Sequence, residues 1–459
     1  MATSQDLTTG SIPSHFRRLA IPTAIGMVFT TLYNVVDVYY AGMISTDAQA
    51  GLAISFQVFF VLIALGFGLS SAMSALVGNA LGEKSGDETF TACQGITFGV
   101  IVSLLGIIVG YLSYPSLISI VSEPGPYRDA ANDYLKILLL AAPSFLLAFG
   151  ANGILTAQGD TKSMQYANMA AFAGNIVLNP LFIFGFGPVP AMGFNGIALS
   201  TLVCQSGVMV FILWRVFRSE AMKGIRRFTP GLEHMQAITA QALPASFAMI
   251  VMMVAGFVIQ YFLKGFGGEA VAAYGIALRI EQLLLLPAFG LTGALLPIAA
   301  QNFGAKEFDR VREAVFFCFK AGVSLMLIAS VLLWVGGKSA MGVFTDDAEV
   351  IRVGASYLAV DGFILPVYVM LFAINSVLQA FKKPIWTLWI GIYRQGFGVA
   401  FFSYIFVVLL GLGVWGVWFG IATSVITGLV LSLIVTERVA TPLMGGLFRR
   451  KSEVLIDTK

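Results

Sequence analysis

Residues 30–42 read TTLYNVVDVYYAG and close the first long apolar segment of the chain. An acid stands inside this stretch among valines, with no Lys or Arg within one helical turn. Such an acid is costly at membrane depth, and intramembrane acids generally mark ion or substrate pathways. Polar residues recur here at i, i+3, i+4 and i+7, so one helix face should carry Thr30, Tyr33, Asn34 and Asp37. Asp37 is therefore a candidate functional residue, and an Asp that reaches the lipid headgroups is the alternative.

The composition predicts a protein of the lipid bilayer. Of 459 residues, 58% are hydrophobic and 11% are charged, against about 25% charged in soluble domains. The net charge of +3 gives no basis for nucleic-acid binding. Three cysteines in apolar segments and two histidines at predicted helix ends predict neither a disulfide framework nor a metal site. We expect no cofactor.

Apolar segments long enough to span a bilayer, at about 20 residues each, recur along the whole chain. They predict an all-α polytopic membrane protein with twelve spans. The predicted spans are 15–42, 50–81, 91–113, 130–157, 163–186, 192–217, 235–264, 271–302, 314–336, 348–380, 385–411 and 413–436.

Lys and Arg predict the orientation of these spans. They are concentrated in the amino-terminal tail, in alternate loops and in the tail after Thr436. Cytoplasmic loops generally carry this excess. Both termini should therefore be cytoplasmic, in a plasma (inner) membrane.

The chain also repeats itself. One constant shift along the sequence takes Pro22 to Pro244 and Lys84 to Lys306, and a slightly smaller shift takes 193–196 (GFNG) to 413–416 (GVWG). Nearly constant offsets in one order indicate duplication, and six spans per copy place the relating axis along the membrane normal. We therefore expect two six-helix lobes, 1–214 and 235–459, joined by a cytoplasmic linker at 215–234. Parallel repeats of this kind are typical of transporters.

These features together resemble the multidrug and toxic compound extrusion (MATE) family. The resemblance rests on the two sixfold halves and on several motifs: the first-span pattern 33–42, the fourth-span end 152–159, the fifth-span pattern 174–180 and the turn 193–196. Within the family the chain is similar to the DinF-like branch. The resemblance implies a cation-driven antiporter that exports bulky, amphipathic, often cationic small molecules. We expect the protein to be a monomer.

The family pattern also implies polar neighbours for the first-span acid: Tyr33, Asn152, Asn175, Asn179 and Thr201. Asn175 and Asn179 are one helical turn apart, and Pro180 follows them. Archaeal members of the branch have a second acid where this chain has Asn179. A site with a single carboxylate suits H⁺ better than Na⁺, because Na⁺ favours several oxygens of high charge.

The remaining candidates concern bending and the substrate cavity. Pro22 with Gly26 could bend the first span, or Pro22 could lie in the first helical turn, where it causes no strain. Aromatic, Met and Arg side chains could line a cavity or simply pack in the core: Phe56, Phe60, Met249, Met252, Met253 and Arg279. Pairing of buried charges predicts Arg394 with Asp361, or Arg279 near Glu281.

Several functions compete for this sequence. The first is a proton-coupled multidrug antiporter in which protonation of Asp37 rearranges the first span. Alternatives are an Na⁺-coupled exporter and a lipid-linked precursor flippase, which would need a cationic cavity that only Arg279 and Arg394 could supply. An intramembrane enzyme would need a nucleophile–base pair or a metal cluster, and the sequence shows neither.

Overall fold

The computed structural model describes residues 6–224 and 226–448. Twelve helices in this part of the chain are long and apolar enough to cross a membrane. We number them α1 to α12 in chain order: Ile12–Ile44, Thr46–Glu83, Glu88–Val121, Pro126–Ala157, Lys162–Phe184, Asn195–Phe217, Leu232–Phe266, Gly268–Gly304, Phe308–Gly342, Ala348–Ala380, Pro384–Leu409 and Val414–Met444. The all-α, twelve-span prediction is confirmed. The end of the carboxyl tail, from 449, lies outside the described residues.

Three of the spans contain segments that are not regular α-helix, and the one in α7 is a 3₁₀ turn at its end, Lys264–Phe266. In α4, Leu139–Ala141 forms a 3₁₀ turn. In α11, Ile392–Gly398 and Ile405–Leu409 are π-helical. Such segments are rare and are frequently found at functional sites. Arg394 lies in the first of them.

Prolines interrupt several helices well past the first turn, including Pro22 in α1 and Pro244 in α7. The first-turn reading of Pro22 is therefore wrong. An interior proline removes one i to i−4 hydrogen bond and tends to kink the helix. Pro180 in α5 leaves the carbonyl of Ile176 without its helical donor. The Tyr40 hydroxyl of α1 donates to that carbonyl at 3.5 Å.

The chain forms two compact units. One contains Ile25–Ser246, and the other groups Thr8–Ala24 with the chain from Phe247 onward. Helices α1 and α7 therefore each contribute to both units, and each division falls shortly after a proline, Pro22 or Pro244. The sequence lobes 1–214 and 235–459 are defined differently from these units, so their boundaries stay a prediction.

Buried apolar side chains form separate cores within each unit. In the first unit, one core centres on α2 and α4, and includes Leu52, Phe59 and Tyr134. In the second unit, the main core includes Tyr274, Tyr357 and Trp418. The 215–234 linker packs on α3 of the first unit, where the Gln94 amide donates to the carbonyl of Thr229 at 2.9 Å.

The two halves of the chain share unusual local backbone geometry. Lys84 and Lys306 are both left-handed, with φ of 52° and 61°, although such φ is uncommon for residues other than glycine. Gly193 and Gly413 also have positive φ, 56° and 59°. In each copy the fourth residue of the turn donates its N–H to the first at 3.0 Å. These matched turns support the internal duplication.

Candidate functional site

The carboxylate of Asp37 is completely buried in the first unit and receives three hydrogen bonds. The amides of Asn175 and Asn179 each donate to Oδ1 at 2.9 Å. The Thr201 hydroxyl donates to Oδ2 at 3.3 Å. Asp37 and both asparagines have no exposed surface. Burying a carboxylate is costly unless hydrogen bonds compensate it, and three donors supply that compensation.

Three helices bring these side chains together. Asp37 comes from α1, the two asparagines come from successive turns of α5, and Thr201 comes from α6. The same face of α1 packs on α5 further along its length. Gly26 lies against the side chain of Gln165 so closely that a Cβ would displace it. The absence of a side chain at Gly26 leaves room for Gln165 against α1, and the bending role of Gly26 stays a prediction.

A hydrogen-bonded chain leads away from the carboxylate. The Tyr33 hydroxyl donates to Thr201 Oγ1 at 3.3 Å, and Thr201 donates in turn to Asp37. On the other side, Asn179 Oδ1 is buried and has no hydrogen-bond partner in the described part of the chain. The site therefore holds donors for a charged carboxylate and an unused acceptor that a protonated carboxyl could approach.

The structure separates two predicted site residues from this cluster. Asn34 lies on the same face of α1 as Asp37 but is exposed. Asn152 is half-buried, and it is not among the hydrogen-bond donors to Asp37. Tyr33, Asn175, Asn179 and Thr201 are gathered around Asp37. Their roles in transport stay a prediction.

Tyr134 of α4 is a neighbour that the sequence analysis missed. Its ring is fully buried and stacks on Phe194 with centroids 5.0 Å apart. Its hydroxyl lies next to Thr201 and Asp37 of the cluster, although it makes no hydrogen bond of good geometry to the described residues. The internal repeat could have identified Tyr134 from the sequence. Tyr357 occupies the matching position in the second copy, and its hydroxyl donates to an acid.

The predicted cavity-lining residues have mixed environments. Phe56, Phe60, Met249 and Met253 are half-buried. Met252 and Arg279 are exposed. Whether these side chains contact substrate stays a prediction.

The second unit contains its own buried acids. Tyr357 donates a hydrogen bond of 2.6 Å to Glu281. Asp361 and Arg394 are buried as well. The predicted ion pairs do not form: among the described residues, neither Arg394 nor Arg279 has a carboxylate oxygen within 4.0 Å. Arg394 instead lies over the Tyr368 ring, 5.9 Å from its centroid.

An acid outside the spans, in contrast, forms an ion pair. Asp160, in the turn between α4 and α5, forms an ion pair of 2.7 Å with Arg215. Burial raises its pKa, but hydrogen bonds from Ser163 and Arg215 outweigh burial and hold the pKa below its ordinary value. Within the described residues, no group of three or more His, Cys, Asp or Glu side chains could hold a metal ion.

Twelve apolar spans with a hydrogen-bonded acid buried at depth define a polytopic membrane transporter. The MatE family model matches residues 22–181 and 244–405 of the chain. These matches cover well over half of the sequence and begin at Pro22 and Pro244. The chain therefore belongs to the MatE (multidrug and toxic compound extrusion) family, whose members are transporters rather than enzymes.

Individual relatives agree with this assignment. The chain is 26% identical over 411 residues to the probable multidrug resistance protein YoeA of Bacillus subtilis, covering 86% of this chain and 88% of the relative. It is 25% identical over 391 residues to an FAD transporter of Shewanella oneidensis, with 82% and 84% covered. A solved outward-facing structure of a multidrug resistance MATE family transporter matches with TM-score 0.88 and 25% identity, covering 96% and 99%.

Proposed function

We propose that this transporter is a proton-coupled antiporter that exports amphipathic, often cationic compounds, and that Asp37 carries the coupling proton. The observation that carries the proposal is the Asp37 cluster itself. It combines three donors to a fully buried carboxylate with an unpaired buried acceptor on Asn179. Such a site can accommodate the acid in either protonation state, which a coupling residue needs.

The donor set favours H⁺ over Na⁺ as the coupling ion. The atoms directed at the Asp37 carboxylate are two amide nitrogens and one hydroxyl. A bound hard cation would need oxygen atoms there instead, so both amide groups would have to turn over. A proton needs only that the Thr201 hydroxyl rotate and accept. The Tyr33–Thr201 pair supplies a hydroxyl path toward the acid.

Protonation would act on α1 through its hydrogen bonds. Loss of the charge weakens the charge-assisted bonds from Asn175 and Asn179, which hold α1 against α5. Helix α1 can then settle differently, bending near Pro22, where one backbone hydrogen bond is already missing. One charge moved through 100 mV is worth about 2.3 kcal/mol. A two-state element with a gap of a few kcal/mol responds to that energy.

Further parts of the proposal rest on the sequence. The Lys and Arg distribution supports cytoplasmic termini and a cytoplasmic 215–234 linker. The first-span acid supports membership of the DinF-like branch. We propose a monomer as the transporting species.

Transport by purified protein in proteoliposomes tests the function. Vesicles are given an imposed pH gradient, with and without Na⁺, and transport is followed with ethidium, an amphipathic cation, and with FAD. We expect ethidium transport driven by the pH gradient, without an Na⁺ requirement. Strict Na⁺ dependence at clamped pH would overturn proton coupling. Transport of FAD alone would overturn the proposed substrate class.

Variants then test the role of Asp37. Asp37→Asn should abolish transport driven by the pH gradient, while the protein still purifies as a folded species. Asp47→Asn is the matched control, because Asp47 is exposed at the start of α2. Full transport by Asp37→Asn would contradict the proposal that Asp37 is the coupling residue.

A further inference from the structure

We propose that the first unit carries a lipid-binding site on the exposed side of α6, which takes one anionic phospholipid. An acyl chain lies in an apolar groove along the helix, and the headgroup phosphate contacts Arg218 at the end of that groove. The inference is independent of what the protein transports and of the role of Asp37. The proposed cytoplasmic position of the 215–234 linker serves only to assign the leaflet.

The first feature behind the proposal is an open groove on α6. It has a volume of about 670 Å³ and is lined by Ser206, Gly207, Val210, Phe211 and Trp214. These residues recur at helical spacing, so they occupy one side of the helix. The position that a Cβ would take at Gly207 has no neighbouring atom within 4 Å. The groove is therefore open beside this glycine.

The groove offers hydrocarbon contacts rather than hydrogen bonds. Ser206 supplies the only hydroxyl among its lining residues, and that hydroxyl shares a hydrogen bond of 3.0 Å with Ser144 of α4. Val210 is 62% exposed and Trp214 is 45% exposed, whereas another side of α6 is buried in the first unit. Lipid tails are as apolar as aliphatic side chains. An acyl chain is therefore a suitable occupant.

The second feature is a cation at one end of the groove. Arg218 follows Trp214 by one helical turn, and its guanidinium lies over the indole ring, 4.6 Å from the ring centroid. Trp and Arg are both enriched where spans meet the membrane interface. The ring holds the guanidinium at the end of the groove, and its N–H groups suit the oxygens of a phosphate.

The third feature is that no acid neutralises this cation. Arg218 is exposed, and among the described residues no carboxylate oxygen lies within 4.0 Å of it. Two acids that contact the linker already have partners: Asp160 binds Arg215 at 2.7 Å, and Glu220 binds Lys223 at 2.6 Å. The charge of Arg218 is therefore available to an external anion, and the adjoining groove favours an anion that carries a hydrocarbon chain.

The length of the site matches one leaflet of a bilayer. Gly207 and Arg218 lie about 16 Å apart along the helix axis, and half of the hydrocarbon core is about 15 Å thick. A chain that runs from Arg218 to Gly207 therefore reaches from the headgroup level to near the midplane. The linker is rich in Lys and Arg, which assigns the site to the cytoplasmic leaflet, where anionic lipids are found.

The site is specific to the first half of the chain. The shift between the two matched glycine turns gives the counterparts of three site residues: Arg438 for Arg218, Ile434 for Trp214 and Thr427 for Gly207. The second copy therefore keeps an exposed cation at this position. It has neither the indole ring one turn before that cation nor the glycine that opens the groove. Arg438 is accordingly a matched control for Arg218.

Native mass spectrometry of the full-length protein in detergent tests the proposal. The protein is titrated with dioleoyl phosphatidylglycerol, which is anionic, or with dioleoyl phosphatidylcholine, which has no net charge. We expect the first phosphatidylglycerol to bind at least about fivefold more tightly than phosphatidylcholine, and Arg218→Gln to remove that difference. Fivefold corresponds to about 1 kcal/mol, the contribution of one basic residue near an anionic surface. Arg438→Gln should leave this binding step unchanged.

Gly207→Leu tests the groove separately from the charge. The leucine side chain has room at this position, so the protein should fold normally while phosphatidylglycerol binds at least about fivefold more weakly. The proposal is overturned if Gly207→Leu leaves binding unchanged, or if Arg218→Gln and Arg438→Gln weaken it equally. It is also overturned if wild type does not prefer the anionic lipid. The same spectra report the oligomeric state, and conversion of a dimer to a monomer by Gly207→Leu would show that a second copy occupies the groove instead.

Discussion

Asp37 and Asp361 are the same residue type, each completely buried in a helical unit, yet their surroundings are opposite. Asp37 receives hydrogen bonds from three side chains on two neighbouring helices. Asp361 receives none from the described residues, and it forms no ion pair with a Lys or Arg among them. The first environment can hold a charge, whereas the second favours the neutral acid. Burial alone therefore does not decide whether an acid can hold a charge. The hydrogen-bond donors around the acid decide it.

The largest expected effect comes from removing a donor at Asp37. Asn179→Leu takes away one amide donor and the spare acceptor at nearly constant volume. Hydrogen bonds to charged groups are worth about 1.5–3 kcal/mol. Proton-driven ethidium transport in vesicles should therefore fall by at least about tenfold.

Asn152→Leu is the matched control for that change. Asn152 is half-buried, and the hydrogen bonds to Asp37 come from other residues. Its replacement should leave transport within about twofold. If both variants lose transport equally, the donors to Asp37 are not what distinguishes this acid, and the family-implied role of Asn152 is favoured.

The next effect compares the repeat-related tyrosines. Tyr357→Phe removes the hydroxyl that donates to Glu281 at 2.6 Å, which should lower stability by about 1.5 kcal/mol. Tyr134→Phe removes a hydroxyl that makes no hydrogen bond of good geometry to the described residues, and should change stability by less than about 0.5 kcal/mol. Thermal unfolding of the detergent-purified proteins measures both. A larger loss of stability for Tyr134→Phe than for Tyr357→Phe would contradict the expected difference between the two tyrosines.

A smaller effect is expected for the helix that carries Asp37. Pro22→Ala restores a backbone donor in the interior of α1, so it should stiffen the helix and slow ethidium transport by about fivefold, roughly 1 kcal/mol on the barrier. Pro244→Ala makes the same change in α7 and should leave the rate nearly unchanged. Normal transport by Pro22→Ala would argue against bending of α1, even if Asp37 carries the proton.

The smallest effect concerns Asp160, an acid paired with Arg215 outside the spans. Its pKa in the folded protein is depressed. The stabilisation is therefore present above the ordinary value near 3.9 and is lost as pH falls through the folded pKa. Asp160→Asn should lower stability by about 0.5 kcal/mol at neutral pH, and the difference from wild type should shrink in acid. Thermal unfolding across that pH range measures it.

The sequence predicted most of the fold and the centre of the site. Spans are readable because their apolar runs match the bilayer thickness, and duplication is readable from constant offsets. Asp37 with Asn175 and Asn179 was found because an acid in an apolar run is rare and i, i+4 residues share a face. Periodicity placed Asn34 on the same face as Asp37, but it does not tell which side chains of that face a neighbouring helix covers, and Asn34 is exposed.

Contacts across helices were beyond the sequence. Whether Arg394 reaches Asp361 depends on the rotation of two helices and on long rotatable side chains, which hydropathy does not encode. Tyr134 lay in a half-polar segment with no local signal. The match between Tyr134 and Tyr357 becomes informative only once the structure shows that Tyr357 donates to Glu281.

The π-helical segments of α11 coincide with a difference in length between the two copies of the repeat. At the ends of α4 and α10, the carbonyls of Leu155 and Leu378 accept matching turn hydrogen bonds, from Asp160 and Lys383. At the far end of the next span, the carbonyl carbons closest to Gly196 and Gly416 belong to Phe182 and Phe406. The stretch 378–406 is longer by a single residue than the stretch 155–182, so the second copy has one residue more within α11. A π-helical turn holds one residue more than an α-helical turn. Helix α11 thus accommodates the extra residue in the span that carries Arg394, and the hydrogen bond from Gly416 to Gly413 after it still matches the one from Gly196 to Gly193.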